Sequence, residues 1–463
     1  MESTKAVKEY YMTNMNLITC ANGECQSNSN MSIHVKDGKI EEVLPFQEAE
    51  EHLKYNAETV IDLKGAYVIP GLVESHVHYG GVYESSDKDW VCENDLEQAM
   101  RSVEQCQQSL RHGFTTARDI SRYGIHLRNM IDGGFIQGPT IIPCGRGLTR
   151  SGGHADSIHF PQDFVKEHHP WGIIADGPDE VRKACRLVLR EGSRTIKLWA
   201  SGGGINDWEK ETDTHYTLEE IKVMVQEARE FGVPVAAHCE NKESIKRCIT
   251  AGVDSIEHGE EFDEEMVEWY TDYKEKQAKL PEEERNPEII LVPTIGLYID
   301  WYEQFDPPKE RDLTGCVGDT LGAKEIDRIQ KSFRRAKNLG IKIAVGADSF
   351  CSKLTPYGMY THNEMYELKN AGMTDEEVLI AATINGAEVC HVADRKGSIE
   401  VGKDADFVVL KKNPLDDIRN INYDNILHVV KEGVRVDFND MSKVDAATIA
   451  AKKQRAKEGK VSK

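Results

Sequence analysis

No run in this chain approaches the ~18 consecutive apolar residues that a membrane-spanning helix needs, so none of its 463 residues reads as a transmembrane segment. The opening stretch "MESTKAVKEYYMTNMNLITCANGE" lacks a basic head, an apolar block and a small-residue cleavage site. No signal peptide is expected. Positive charge is in short supply: 57 Lys and Arg face 79 Asp and Glu, a net charge of -22. That balance argues against a nucleic-acid partner or an anionic membrane surface. No CxxC pair occurs, and the 11 cysteines are odd in number and scattered. Reduced thiols in a cytoplasmic protein are the simplest expectation. What is present suffices for a large core. Apolar residues make up 39% and charged residues 29%, and the length suits one large domain with a smaller one beside it.

The two ends of the chain share one character. "MNLITC", "SIHVKDGKIEEVLP" and "ETVIDLKG" near the start are short strand-like pieces, and "VKDGKIEEV" reads as a hairpin turning at Asp-Gly. "GSIEVGKDADFVVLKKNP" and "ILHVVKEGVRV" near the end look alike. Residues 1–69 and 397–440 are therefore expected to meet in a small β-sandwich domain, with 441–463 a frayed tail. The middle, 70–396, alternates. Apolar strands such as "GFTTARDI", "TIKLWASGG" and "VPVAAHCE" are followed by amphipathic helices such as "DEVRKACRLVLREG". Strand–helix alternation with continuous apolar strands predicts parallel pairing. Eight such units make an α/β fold, a (β/α)8 TIM barrel, with a doubly wound sheet as the alternative.

Barrel enzymes carry their chemistry at the C-terminal ends of the strands. "GLVESHVHYGG" presents His76 and His78, two residues apart and so on one side of a strand. Lys197 lies within "TIKLWASGG", His238 ends "VPVAAHCE", His258 ends "SIEHG" and Asp348 ends "IAVGADS". Each alone has an ordinary explanation. The lysine can snorkel between helices, a histidine can plug a strand end, and an aspartate after glycine can cap a turn. Six such residues at the same ends of one alternating pattern are not explained that way.

HxH, then Lys, His, His and Asp on successive strands resembles the metal-dependent amidohydrolase superfamily. "GPTIIPCGRGLTRSGGHAD" and "TIKLWASGGG" resemble its imidazolonepropionase-like, prolidase-like and ochratoxinase-like branch. The resemblance implies two divalent metal ions, and neutral imidazoles suit zinc. It implies that Lys197 adds CO2 and becomes a carbamate bridging both ions. One ion would take His76, His78 and Asp348, the other His238 and His258. A bridging hydroxide would attack the substrate while Asp348 moves the proton. His154 in "GGHAD" and Tyr216 in "THYTLEE" resemble groups that hold the substrate's carboxylate or carbonyl oxygen. Tyr216 has a second reading, as packing at a helix start where Thr217 and Glu220 form a capping box. The implied activity is hydrolysis of a C–N amide bond in a dipeptide, an N-acyl amino acid or a related small amide. Cyclic-amide, carbamate and lactone hydrolysis stay open, as does a homo-oligomer. Mononuclear deaminases of the superfamily carry Glu three residues after the strand-five histidine. Here that position is Asn241, and Glu240 is one residue short. A non-catalytic scaffold would be expected to have lost ligands, and none is lost.

Overall fold

Alternation along short strands decides which side chains face the middle of this molecule. The structure is a computed structural model and describes residues 9–50, 59–82, 91–203, 208–299 and 323–438. The expected tail at 441–463 lies outside the described residues. The chain start forms β1 (Glu9–Ile18), β2 (Ser27–Lys36), β3 (Lys39–Pro45), β4 (Val60–Asp62) and β5 (Tyr67–Pro70). The middle supplies β6 (Leu72–Val82), β7 (Phe114–Asp119), β8 (Thr140–Pro143), β9 (Gly147–Thr149), β10 (Gly172–Ile174) and β11 (Ile196–Trp199). It continues with β12 (Val235–Cys239), β13 (Ser255–His258), β14 (Ile290–Val292), β15 (Lys342–Ile343) and β16 (Ser349–Cys351). The chain end adds β17 (Phe407–Leu410), β18 (Ile426–Lys431) and β19 (Val434–Arg435).

The middle strands form two arcs, β16-β6-β7-β8 and β10-β9-β11-β12-β13-β14-β15. Every pairing within them is parallel. Backbone hydrogen bonds link the arcs at both ends. Arg194 N–H donates to the Pro143 carbonyl at 2.7 Å, and Ser75 N–H to Val345 at 2.9 Å. The expected strand "IKIAVGADS" is broken between β15 and β16. The break contains Gly346, where a Cβ would come within 2.5 Å of Val292 and 2.8 Å of His76 Cβ. Helices between the strands end on left-handed glycines: Gly192, Gly232 and Gly252 cap 177–191, 218–231 and 242–251. The Thr217–Glu220 capping box is formed in full.

The ends of the chain make one mixed sheet in the order β19-β18-β17-β5-β1-β2-β3, with β4 on β1. Among the described residues the hydrogen bonding runs through a single sheet, and β1 shifts register near Met15. The period of two gives this sheet two apolar faces. Val68, Phe407 and Val409 join the sheet's own cluster. Ile69, Val408 and Leu410 join the core beneath the helices of the middle segment.

Candidate metal centre

All eleven residues of β6 are buried. Val77 turns toward a cluster with Ala117, Leu127 and Ile141, and His76 and His78 share the other side. Their Nε2 atoms lie 3.4 and 3.0 Å from Asp348 Oδ1. One ligand atom from each of the three residues falls within 4.8 Å of the others. On β11, Ile196 and Leu198 enter the outer core, which sends Lys197 inward, 1% exposed. On β12, Ala237 and Cys239 face outward, and His238 faces inward. On β13 strict alternation would send His258 outward, because Glu257 faces in. His258 has φ +70°, and this turn brings its ring to 5.4 Å from His76 and 4.5 Å from His238. Asp348 at φ +53° and Thr294 at +48° are also left-handed. Such strain at strand ends persists only where surrounding contacts hold it.

The second ring nitrogens are engaged. His76 Nδ1 donates to Glu257 Oε2 at 2.6 Å and His78 Nδ1 to the Ile120 carbonyl at 2.7 Å. His258 Nδ1 hydrogen-bonds with Thr294 Oγ1 at 2.7 Å, and His238 Nε2 donates to the Gly202 carbonyl at 3.3 Å. This is the arrangement by which proteins orient metal-binding histidines and fix their tautomers. Burial, then Lys197, depresses the His76 pKa; burial also takes His258 down to about 4. Neutral imidazoles result. Burial works against the Asp348 carboxylate, and its contacts with His76 and His78 act the other way and lower its pKa. Two histidine nitrogens and a carboxylate, from His76, His78 and Asp348, form a donor set that fits a divalent transition metal. Burial lowers the Lys197 pKa. Its ammonium lies 5.6 Å from the Trp199 ring and has no hydrogen-bond or ion-pair partner among the described residues.

The amidohydrolase family model matches residues 67–436. The chain belongs to the amidohydrolase family. It is a hydrolase acting on carbon–nitrogen bonds, from a family that is generally metal-dependent. It is 30% identical to the ochratoxinase of Aspergillus niger over 402 residues, 83% of this chain and 79% of that one. The crystal structure of that ochratoxinase superposes with a TM-score of 0.78 at 25% identity, covering 93% of this chain and 95% of the other. A Xaa-Pro dipeptidase with bound methionine superposes with a TM-score of 0.76 at 28% identity, covering 93% and 100%. These amidohydrolase relatives carry the TIM-barrel fold.

His154 is brought to the edge of the centre. Its ring lies 4.6 Å from His238, and its Nδ1 donates to Glu209 Oε1 at 2.6 Å. Tyr216 is not brought there. It is 1% exposed in the outer core, and its hydroxyl donates to the Ala175 carbonyl at 3.1 Å. The packing reading of "THYTLEE" describes it. The sequence reading also missed Arg118, Ser255, Glu257, Glu74 and Tyr298. Arg118 and Glu257 form a fully buried pair at 2.8 Å behind His76, and Ser255 Oγ donates to Glu257 at 2.6 Å. Glu74 accepts from the backbone N–H of His76 at 2.9 Å and of Ala347 at 3.1 Å, tying the two ligand-bearing segments. Tyr298 donates to Glu240 at 3.1 Å, and that carboxylate stands 3.6 Å from His238. Ser255 and Glu257 were detectable as a polar i, i+2 pair on one side of β13.

Proposed function

We propose that this amidohydrolase is binuclear and cleaves the amide bond of a dipeptide, an N-acyl amino acid or a related small amide. In this reading β6, β7, β8, β11, β12, β13, β14 and β15 close as one eight-stranded barrel, with residues 1–69 and 397–440 as the small domain. His76, His78 and Asp348 hold one divalent ion, zinc by ligand preference, and His238 and His258 hold the other. Lys197 serves both as a carbamate: its neutral amine adds CO2 and releases a proton. The observation that carries the reading is the convergence of these side chains around a buried lysine without a hydrogen-bond or ion-pair partner among the described residues. An isolated buried ammonium is strongly disfavoured, and an anionic carbamate between cations is not.

Paired divalent ions supply an acidified water and a polarised carbonyl. The chain's own residues do the rest. Asp348 accepts the proton of the attacking water and returns it to the leaving nitrogen, because an amide anion is a poor leaving group. His154, oriented by Glu209, binds a carbonyl or carboxylate oxygen of the substrate. Elemental analysis of the purified protein, with a panel of dipeptides and N-acyl amino acids, tests the reading. Two metal ions per chain and amine release are expected. Lys197→Ala should lose most of both, with partial rescue by short carboxylic acids. One ion per chain with no amide turnover would overturn it.

A further inference from the structure

We propose that Cys20 and Cys25 are a redox site that closes reversibly into a disulfide by exchange with a small-molecule disulfide. Their sulfurs lie 2.7 Å apart, closer than two unbonded sulfurs rest. The segment "CANGEC" turns the chain from β1 into β2. Cys20 and Asn22 have φ +53° and Gly23 +76°, and Asn and Gly accept such angles at little cost. Glu24 N–H donates to the Ala21 carbonyl at 3.1 Å inside the turn, and Thr19 N–H to Gln26 at 3.2 Å across its base. The turn is thus held at base and tip, and the two sulfurs are kept together by the backbone. Scattered cysteines with no CxxC gave no hint of this, because five residues of separation match no common spacing.

Exposure differs in the direction that exchange requires. Cys20 is buried and Cys25 is partly exposed. The Cys25 thiolate attacks one sulfur of the small disulfide and expels one thiolate. The Cys20 thiolate then attacks the Cys25 sulfur of the mixed disulfide and expels the second. Two protein thiols become one disulfide, the small disulfide becomes two thiols, and the two protons go to the departing thiolates. Cys239 and Cys248 also interact, but both are buried and lack this entry point.

The pair sits against a helix that supports the metal centre. Cys25 N–H donates to Glu376 Oε1 at 2.9 Å, and Thr383 lies against the Cys20 sulfur. Glu376 is on the helix Asp375–Ala381. Just beyond, the carbonyls of Ala381 and Ala382 accept from the N–H groups of Val345 and Val73, on the segments that lead to Asp348 and His76. The disulfide fixes the end sheet's contact with that helix.

Lys8 and Lys36 bracket a tryptic peptide, residues 9–36, that holds these two cysteines and no others. The whole protein is equilibrated with glutathione disulfide, alkylated, digested and weighed. The peptide should appear two hydrogen masses lighter and unalkylated, and dithiothreitol should return two alkylatable thiols. Cys20→Ser should stop at a glutathione adduct on Cys25, and Cys25→Ser should give neither product. The exposed Cys92 reports that the oxidant is active. A doubly alkylated 9–36 peptide alongside fully glutathionylated Cys92 would overturn the proposal.

Discussion

Asp348 carries two duties on one carboxylate, and a substitution can separate them. Asp348→Asn keeps the size and one oxygen donor but removes the base. Turnover should fall by roughly 10²–10⁴, with metal content changed less. Wild-type turnover at full metal occupancy would refute the proton role. His362 is buried, and its Nε2 donates to the His112 carbonyl at 2.8 Å. Burial, then His112, takes its pKa from 6.5 down to about 3. The unfolded chain therefore binds this proton first. Stability is fully present above pH 6.5 and is lost as pH falls toward 3, at about 1.4 kcal/mol per pH unit. His362→Gln should flatten the acid limb of a urea-unfolding series by one proton. An unchanged slope would show that His362 does not titrate differently on unfolding. The six proposed ligands could be picked out because each lies on or beside a strand of one alternating pattern. The choice between the two readings of Tyr216 was not legible, because the acceptor of its hydroxyl, Ala175, lies 41 residues away. Glu257 and Arg118 were invisible as a pair for the same reason, being 139 residues apart.

At the scale of elements, that pair joins three strands. Arg118 on β7 donates to Ser75 O of β6 at 2.5 Å and to Glu257 of β13, while Glu257 receives His76 Nδ1. Arg118→Met leaves the Glu257 carboxylate buried without its partner. The expected cost is about 3–5 kcal/mol, read as a lower melting temperature. Replacing both, Arg118→Met with Glu257→Leu, should recover much of that stability, because no uncompensated charge remains. Metal affinity should not recover. His76 has lost the acceptor that orients it, a change worth roughly 10–100-fold. A single Arg118→Met variant that melts with the wild type would contradict this. The strands themselves could be read from sequence, but the break between β15 and β16 could not. It follows from a close approach at Gly346 that only the folded neighbours impose.

At the scale of the whole molecule, the end sheet joins the first and last described strands to the segment that carries the proposed ligands. The sequence showed that both ends are β-rich. It did not show that β5 would lie between β1 and β17, paired parallel with one and antiparallel with the other. Only Gly71 separates β5 from β6, where a Cβ would meet Thr115 Oγ1 at 2.1 Å. The end sheet thus runs directly into the strand that carries His76 and His78. Deleting residues 1–65 removes β1 and leaves one edge of β5 unpaired. It also uncovers Phe407 and Val409, which pack against Met15 and Leu17 in the same cluster. Unpaired strand edges beside fresh apolar surface promote association. Deleting the chain from Phe407 onward opens the other edge of β5 and strips Val408 and Leu410 from the core of the middle segment. Both truncations should give aggregated protein by light scattering, with little metal bound. A soluble, active enzyme lacking the first 65 residues would mean that the middle segment completes its own core, and that the end sheet is an accessory to the metal centre instead of its support.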